Sequence, residues 1–279
     1  MSGRLLVPVF LPVPQPYDFM VSTNRFRVFG VDPANLWHEG GLYRVVDGRE
    51  VRIEPAAGGV EVAPCDERIA REVELLLGLP FDVAAFGNWA QADPALHRLA
   101  SVLHGFRPPL SPDPFEALVT SITAQQVSLR SAFAIRGRLV RHFGMRAEVA
   151  FAFPVRERVA AAREEELVEL GFSRRKAAYV VGLARADLDF EELDRLPDEQ
   201  VVERIVSVRG LGEWTAQWYL ARHLGRPHAW PAGDLALRKA VRIFYGQVED
   251  VRAFGASLHP FQNLAAQYLL AGLRLPPPQ

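Results

Sequence analysis

The chain has a single cysteine, Cys65, in 279 residues. One thiol excludes an intramolecular disulfide, a four-cysteine iron–sulfur cluster and a cysteine-built zinc site. Lysine is almost as scarce: only Lys176 and Lys239 are present, and all other cationic side chains are arginines or histidines. Amine chemistry therefore has few groups to draw on. The seven histidines are scattered without HExxH-like spacing, which gives metal catalysis little support. No apolar run approaches the ~18 residues of a membrane-spanning helix. The apolar N-terminus is broken by Pro8 and Pro12, unlike a secretory leader, so a β-strand and a cytoplasmic location are expected. No repeat or low-complexity segment stands out.

What remains is an ordinary globular composition, 49% hydrophobic, with length for one large or two to three small domains. The net charge of −1 does not announce a nucleic-acid binder. Its distribution is uneven. Residues 1–100 hold 9 basic and 13 acidic residues, a net of −4, and residues 101–279 hold 23 and 20, a net of +3.

Residues 1–64 read as β-rich. The runs Leu5–Phe10, Phe26–Val31, Gly41–Val46 and Gly59–Val62 are separated by Pro, Gly and Asp turns. Residues 66–79 read as an amphipathic helix, making a small α+β unit in which Tyr17, Phe19, Phe26 and Trp37 are expected core aromatics. From about residue 88 the pattern turns helical. Helices are expected over 93–104, from Asp113-Pro114 onward, after Ser128, over 154–170, after Ser173 and over 262–273, with caps of Asp or Ser and Pro in first turns. Gln125-Gln126 falls between two of them and by itself reads as a loop.

The most informative stretch is 199–238. It parses as a helix, a Gly210-Leu-Gly212 turn, a helix opened by Trp214, Trp218 and Tyr219, and Trp230-Pro-Ala-Gly-Asp234 ahead of another helix. The turn fits either a phosphate held by helix N-terminal amides or a plain C-cap glycine. Asp234 fits an N-cap or a catalytic carboxylate. Trp214 and Trp218 share a helix face and fit either a core or a stacking surface for a cationic ring.

Taken together, Val208-Arg-Gly210-Leu-Gly212-Glu-Trp-Thr215-Ala and Pro231-Ala-Gly-Asp234-Leu-Ala-Leu-Arg-Lys-Ala resemble the helix-hairpin-helix DNA glycosylases, and within them DNA-3-methyladenine glycosylase II. Pro16-Tyr-Asp18, Asp113-Pro-Phe-Glu116, Ile122-Thr-Ala-Gln-Gln-Val-Ser128 and Leu170-Gly-Phe-Ser-Arg-Arg-Lys-Ala177 extend that likeness along the chain. The resemblance implies an α+β fold in three units: 1–87, then 113–230 bearing the hairpin, and a second helical unit made of 88–112 with 231–279. It implies hydrolysis of the N-glycosidic bond of a flipped-out alkylated base, on duplex DNA, by a monomer without an organic cofactor. Asp234 would be the catalytic carboxylate, and Trp214, Trp218, Phe26 and Leu270 would border the base. Gln125, Gln126, Gly210, Gly212 and Thr215 would contact DNA, with Gln126 filling the gap in the duplex. The carbonyls of Val206, Val208 and Leu211 would hold a structural Na+ or K+. Two departures stand out: a polar plug, and Leu270 where relatives place a pocket tryptophan, which implies a wider lesion range. Trp214 stands where strand-nicking members carry lysine, which implies a hydrolase without lyase activity. A non-catalytic damage-binding protein, or a glycosylase for oxidised or deaminated bases, remains the alternative.

Overall fold

The computed structural model describes residues 7–275. An N-terminal unit contains β1 (Val9–Pro12), α1 (Phe19–Ser22), α2 (Arg25–Val28), β2 (Leu36–His38), β3 (Gly41–Val46), β4 (Arg49–Ala56), β5 (Gly59–Ala63) and α3 (Glu67–Leu76). The strands form one antiparallel sheet in the order β1-β5-β4-β3-β2. Leu42, Val51, Ile53, Val60 and Val62 form one apolar core with Ile69, Val73 and Leu76 of α3. Every residue of β3 is buried, because the other side of the sheet is covered too: Tyr43 and Val45 pack on Ala150. Burial on both faces replaces the alternation expected of a half-exposed strand.

The run Phe26–Val31, expected as a strand, instead starts in α2. Its β-prone side chains are overruled by tertiary ties. Asp18 caps α1 by accepting from the Val21 amide at 2.9 Å, and Ser22 Oγ accepts from the Arg107 amide at 3.0 Å. Of the run Leu5–Phe10, Leu5 and Leu6 lie outside the described residues, and the strand begins at Val9.

The helical part comprises α4 (Val83–Ala90), α5 (Pro94–Val102), α6 (Pro114–Ala124), α7 (Leu129–Phe143), α8 (Arg156–Ala160), α9 (Glu164–Glu169), α10 (Arg174–Arg185), α11 (Phe190–Arg195), α12 (Asp198–Ser207), α13 (Glu213–Arg222), α14 (Leu235–Tyr245), α15 (Val251–Ser257) and α16 (Gln262–Gly272). The single helix expected over 154–170 is two, since the Arg163 amide donates to Glu166 Oε1 at 2.9 Å and opens a new first turn. The expected unit boundary at 87/88 falls inside α4, which packs on α5. Helix α5 packs in turn on α16, and α16 on α14.

A buried ionic cluster joins the sheet to the helices. Arg44 of β3 donates to Glu116 of α6 at 2.9 Å and to Asn35 at 2.9 Å. Arg136 of α7 pairs with both Asp32 and Glu116. Asn35 Nδ2 reaches Asp32 at 3.1 Å and Glu116 at 3.2 Å. Each charge therefore meets partners, as buried charges require. Burial alone would raise the Glu116 carboxyl, but the Arg44 and Arg136 guanidiniums outweigh it and hold it at about 2. A folded value below the unfolded one contributes stability that is present above about pH 4.5 and lost as pH falls toward about 2. We therefore expect Glu116→Gln to lower stability at pH 7 by about 3 kcal/mol, since it removes the carboxylate that two buried guanidiniums share and leaves Asp32 as the one buried counter-charge between them. Thermal melts across pH 2–7 check this: the wild-type loss through that acid window should shrink in the variant. Equal melting temperatures at pH 7 would contradict the role given to the cluster.

Candidate active site

The hairpin turn joins α12 to α13. Gly210 sits at φ +91, and a Cβ there would lie 2.1 Å from the Tyr179 ring, so both dihedral and space demand glycine. Gly212 is the N-cap of α13 at φ −117, an ordinary extended conformation, and its Cβ direction is open. The first amides of α13, on Glu213, Trp214 and Thr215, have no intrahelical acceptor by position. They give the helix N-terminus the donors and partial charge that suit a phosphate. Glu213 would oppose an anion there, but Arg252 of α15 pairs with it at 2.8 Å.

Two of the expected DNA contacts are placed otherwise. The Thr215 side chain is 1% exposed, so its hydroxyl does not face solvent; only its backbone amide belongs to the helix terminus. Gln125 Nε2 donates to the Gly210 carbonyl at 3.1 Å and lies 3.5 Å from the Thr215 hydroxyl. Gln125 thus ties the end of α6 to the hairpin. Gln126 alone of the pair is exposed, at φ +56, a left-handed conformation unusual for a side-chain-bearing residue. The C-terminal carbonyls of α12, including Val206, lack helical donors by position and suit a small cation. The Val208 carbonyl already accepts from the Leu211 amide at 3.0 Å, with one lone pair left over.

Asp234 is both cap and site residue. Its Oδ1 accepts from the Leu237 amide at 2.9 Å, which starts α14. Its Oδ2 accepts from the indole N–H groups of Trp214 at 3.0 Å and Trp218 at 3.1 Å. The loop ahead of it is pinned: Trp230 donates through its indole to the Val251 carbonyl at 2.9 Å and through its amide to Gln217 at 3.2 Å. The two indoles stand 6.5 Å apart at 75°, so they form no parallel slot for a flat ring. One face of Trp218 is taken by Arg222, 4.1 Å from the ring centre.

Asp234 opens on a cavity of about 1040 Å³, at the upper end of the range for ligand sites. Trp214, Trp218, Phe26 and Leu270 all line it, as do Gln125, Gln126, Gly212 and Thr215. Four groups not anticipated from the sequence complete the walls: Arg25 with Phe29, Phe133 with Arg136, Arg222, and Leu273 with Arg274. Helical spacing held a signal for two of them, since Arg222 follows Trp218 and Arg274 follows Leu270 by four residues. No lysine lines the cavity among the described residues. Lys176 donates to the Thr123 carbonyl at 2.9 Å, and burial pushes its ammonium down.

Residues 119–252 match the HhH-GPD superfamily of base excision DNA repair proteins. This segment is an HhH-GPD superfamily domain. It is similar to a DNA-3-methyladenine glycosylase of Bacillus subtilis, 30% identical over 185 residues, covering 63% of this chain and 61% of the relative. A probable bifunctional transcriptional activator/DNA repair enzyme AlkA of Mycobacterium tuberculosis is 32% identical over 98% of this chain and 59% of its own. The chain thus spans about 60% of the length of these two relatives. Among solved structures, a 3-methyladenine DNA-glycosylase from Archaeoglobus fulgidus superposes with a TM-score of 0.87 at 27% identity, over 96% of this chain and 99% of that one. The segment matching the HhH-GPD superfamily contains the hairpin, Gln125, Gln126 and Asp234. It leaves out Arg25, Phe26, Phe29, Leu270 and Arg274, so the far walls of the cavity come from outside the shared segment.

The hairpin geometry separates two glycine substitutions. Gly212→Ala should keep its melting temperature and weaken duplex binding several-fold, because only an incoming backbone occupies the space of the new methyl. Gly210→Ala should destabilise the fold by about 2 kcal/mol or more. Thermal melts with a fluorescence-anisotropy titration of duplex DNA check both. Full duplex affinity in Gly212→Ala would remove the phosphate role from this turn.

Proposed function

We propose that this chain is a monofunctional DNA glycosylase, acting as a monomer, that hydrolyses the N-glycosidic bond of alkylated bases flipped out of duplex DNA. The observation that carries the reading is the Asp234 carboxylate, held by two indole N–H groups in the wall of a cavity of about 1040 Å³ beside a phosphate-ready helix terminus. Duplex stacking hides the bond, so the nucleotide must be extruded into a pocket. The C1′–N bond then breaks, its electron pair leaves with the base, and C1′ develops oxocarbenium character. Ionised Asp234, fixed beforehand by its donors, stabilises that charge without reorganising. Water adds to C1′ and loses a proton, which Asp234 accepts. Gln126, exposed at the cavity rim, is the group positioned to fill the vacated stack. Leu270, in place of an aromatic wall, leaves room for bulkier or cyclic adducts.

Base release from methylated duplex DNA tests the reading. Wild type should release base, and Asp234→Asn should be slower by about 100-fold or more, the scale for losing one preorganised electrostatic stabiliser. Binding without release by wild type would favour the damage-binding reading instead. Borohydride should trap no covalent adduct, because no lysine borders the cavity among the described residues. A trapped imine would contradict the monofunctional assignment.

A further inference from the structure

The cavity carries more positive charge than its surroundings neutralise. Arg25 from α2, Arg222 from α13 and Arg274 just after α16 all line it. Arg222 lies over Trp218 at 4.1 Å and the exposed Arg274 over Phe29 at 5.0 Å, so two of the guanidiniums are stacked on aromatic faces. The Arg222 Nε is buried and has no hydrogen-bond partner. Nearby carboxylates are already committed. Asp32 and Glu116 are bound by Arg136, and Glu116 by Arg44 as well. Asp234 keeps its charge, since its donors are two indoles and an amide, and the wall therefore sets four guanidiniums, Arg25, Arg136, Arg222 and Arg274, against three carboxylates, Asp32, Glu116 and Asp234.

From this geometry we infer that Arg25, Arg222 and Arg274 extend the bases released beyond cationic alkylated ones, raising the relative enhancement for neutral bases that present hydrogen-bond acceptors. The inference rests on the glycosylase reading of the site. Guanidiniums donate and never accept, and they do not deprotonate at neutral pH. A cationic base would therefore bring a further positive charge to an under-neutralised wall. A neutral base with carbonyl or ring-nitrogen acceptors would instead accept from the guanidinium N–H groups that line the cavity. The electrostatics agree in direction. Burial first, then repulsion from Arg274, brings the Arg25 guanidinium down to about 10. Burial, then Arg25 and Arg274, lowers that of Arg222. The leucine at position 270 contributes to the same end. It brings no aromatic face to that part of the wall, and Arg274 stands one turn further along.

A competing use of these arginines is contact with backbone phosphate, which would be indifferent to the base. The two are separated by comparing release of hypoxanthine, neutral and acceptor-rich, with release of 7-methylguanine, cationic in the nucleotide. Each enzymatic rate is divided by the spontaneous rate of its own lesion, because the cationic base leaves more easily unaided. The decisive quantity is the ratio of the two enhancements in wild type, Arg274→Gln, and Arg25→Gln/Arg274→Gln, each shown to be folded by its thermal melt. We expect the ratio to fall by about tenfold in the double variant, shifting toward 7-methylguanine, on the scale of like-charge repulsion in a partly buried site. An unchanged ratio overturns the inference, including the case where both rates and duplex affinity fall together, which would mark phosphate contacts. If wild type releases neither base, nor any base from methylated DNA, the glycosylase reading itself fails and the inference with it. Release of both bases with an unchanged ratio defeats only the inference.

Discussion

Oδ2 of Asp234 accepts two indole N–H bonds from successive turns of α13, and the rest of the site is arranged around that oxygen. A carboxylate whose oxygens both accept fixed hydrogen bonds cannot rotate freely, and it needs no reorganisation when charge develops opposite it. Holding it so requires α13 and α14 to meet at a set angle. The pinned Trp230 loop supplies the entry to α14, and the Gly210 turn supplies the entry to α13. The same hairpin geometry leaves the first amides of α13 open to a phosphate. The proposed chemistry and the proposed grip thus both draw on the first turns of α13.

The far side of the cavity depends on a different constraint. Arg44, Glu116 and Arg136 are almost entirely buried and tie a strand of the sheet to α6 and α7. Losing one partner would leave charge stranded in the interior, so the N-terminal unit is held in a fixed relation to the helices. That relation brings Arg25, Phe26 and Phe29 to the cavity wall. The sheet unit therefore shapes the cavity, although it lies outside the HhH-GPD segment.

The hairpin, the Asp234 cap and most helix starts were legible in the sequence because their signals are local. Asp113, Ser128, Ser173 and Asp234 cap helices within three residues of themselves, and glycines mark the turn between α12 and α13. The strand expected at Phe26–Val31 fails because the Gly105 carbonyl, accepting from the Asp18 amide, and the Arg107 amide, donating to Ser22, hold the preceding segment, a tie that no local pattern displays. From spacing, the aromatic pair fits either a core or a stacking surface. Spacing places Trp214 and Trp218 on one face, but it does not show where the indole N–H groups point. The arginine wall draws on residues 25, 222 and 274, and the ionic cluster on 32, 35, 44, 116 and 136. Only the fold brings such distant positions together.

The account centres on the indoles as positioners of Asp234, and one measurement addresses that claim most directly. It is the single-turnover rate of base release, at saturating enzyme, by Trp214→Phe/Trp218→Phe, which keeps the aromatic bulk and removes both donors. Loss of two hydrogen bonds to a charged group, about 1.5–3 kcal/mol each, should bring the rate close to that of Asp234→Asn while duplex affinity stays within a few-fold of wild type. A double variant that releases base at the wild-type rate would show that the carboxylate does not depend on its indole donors, and the central claim would fall.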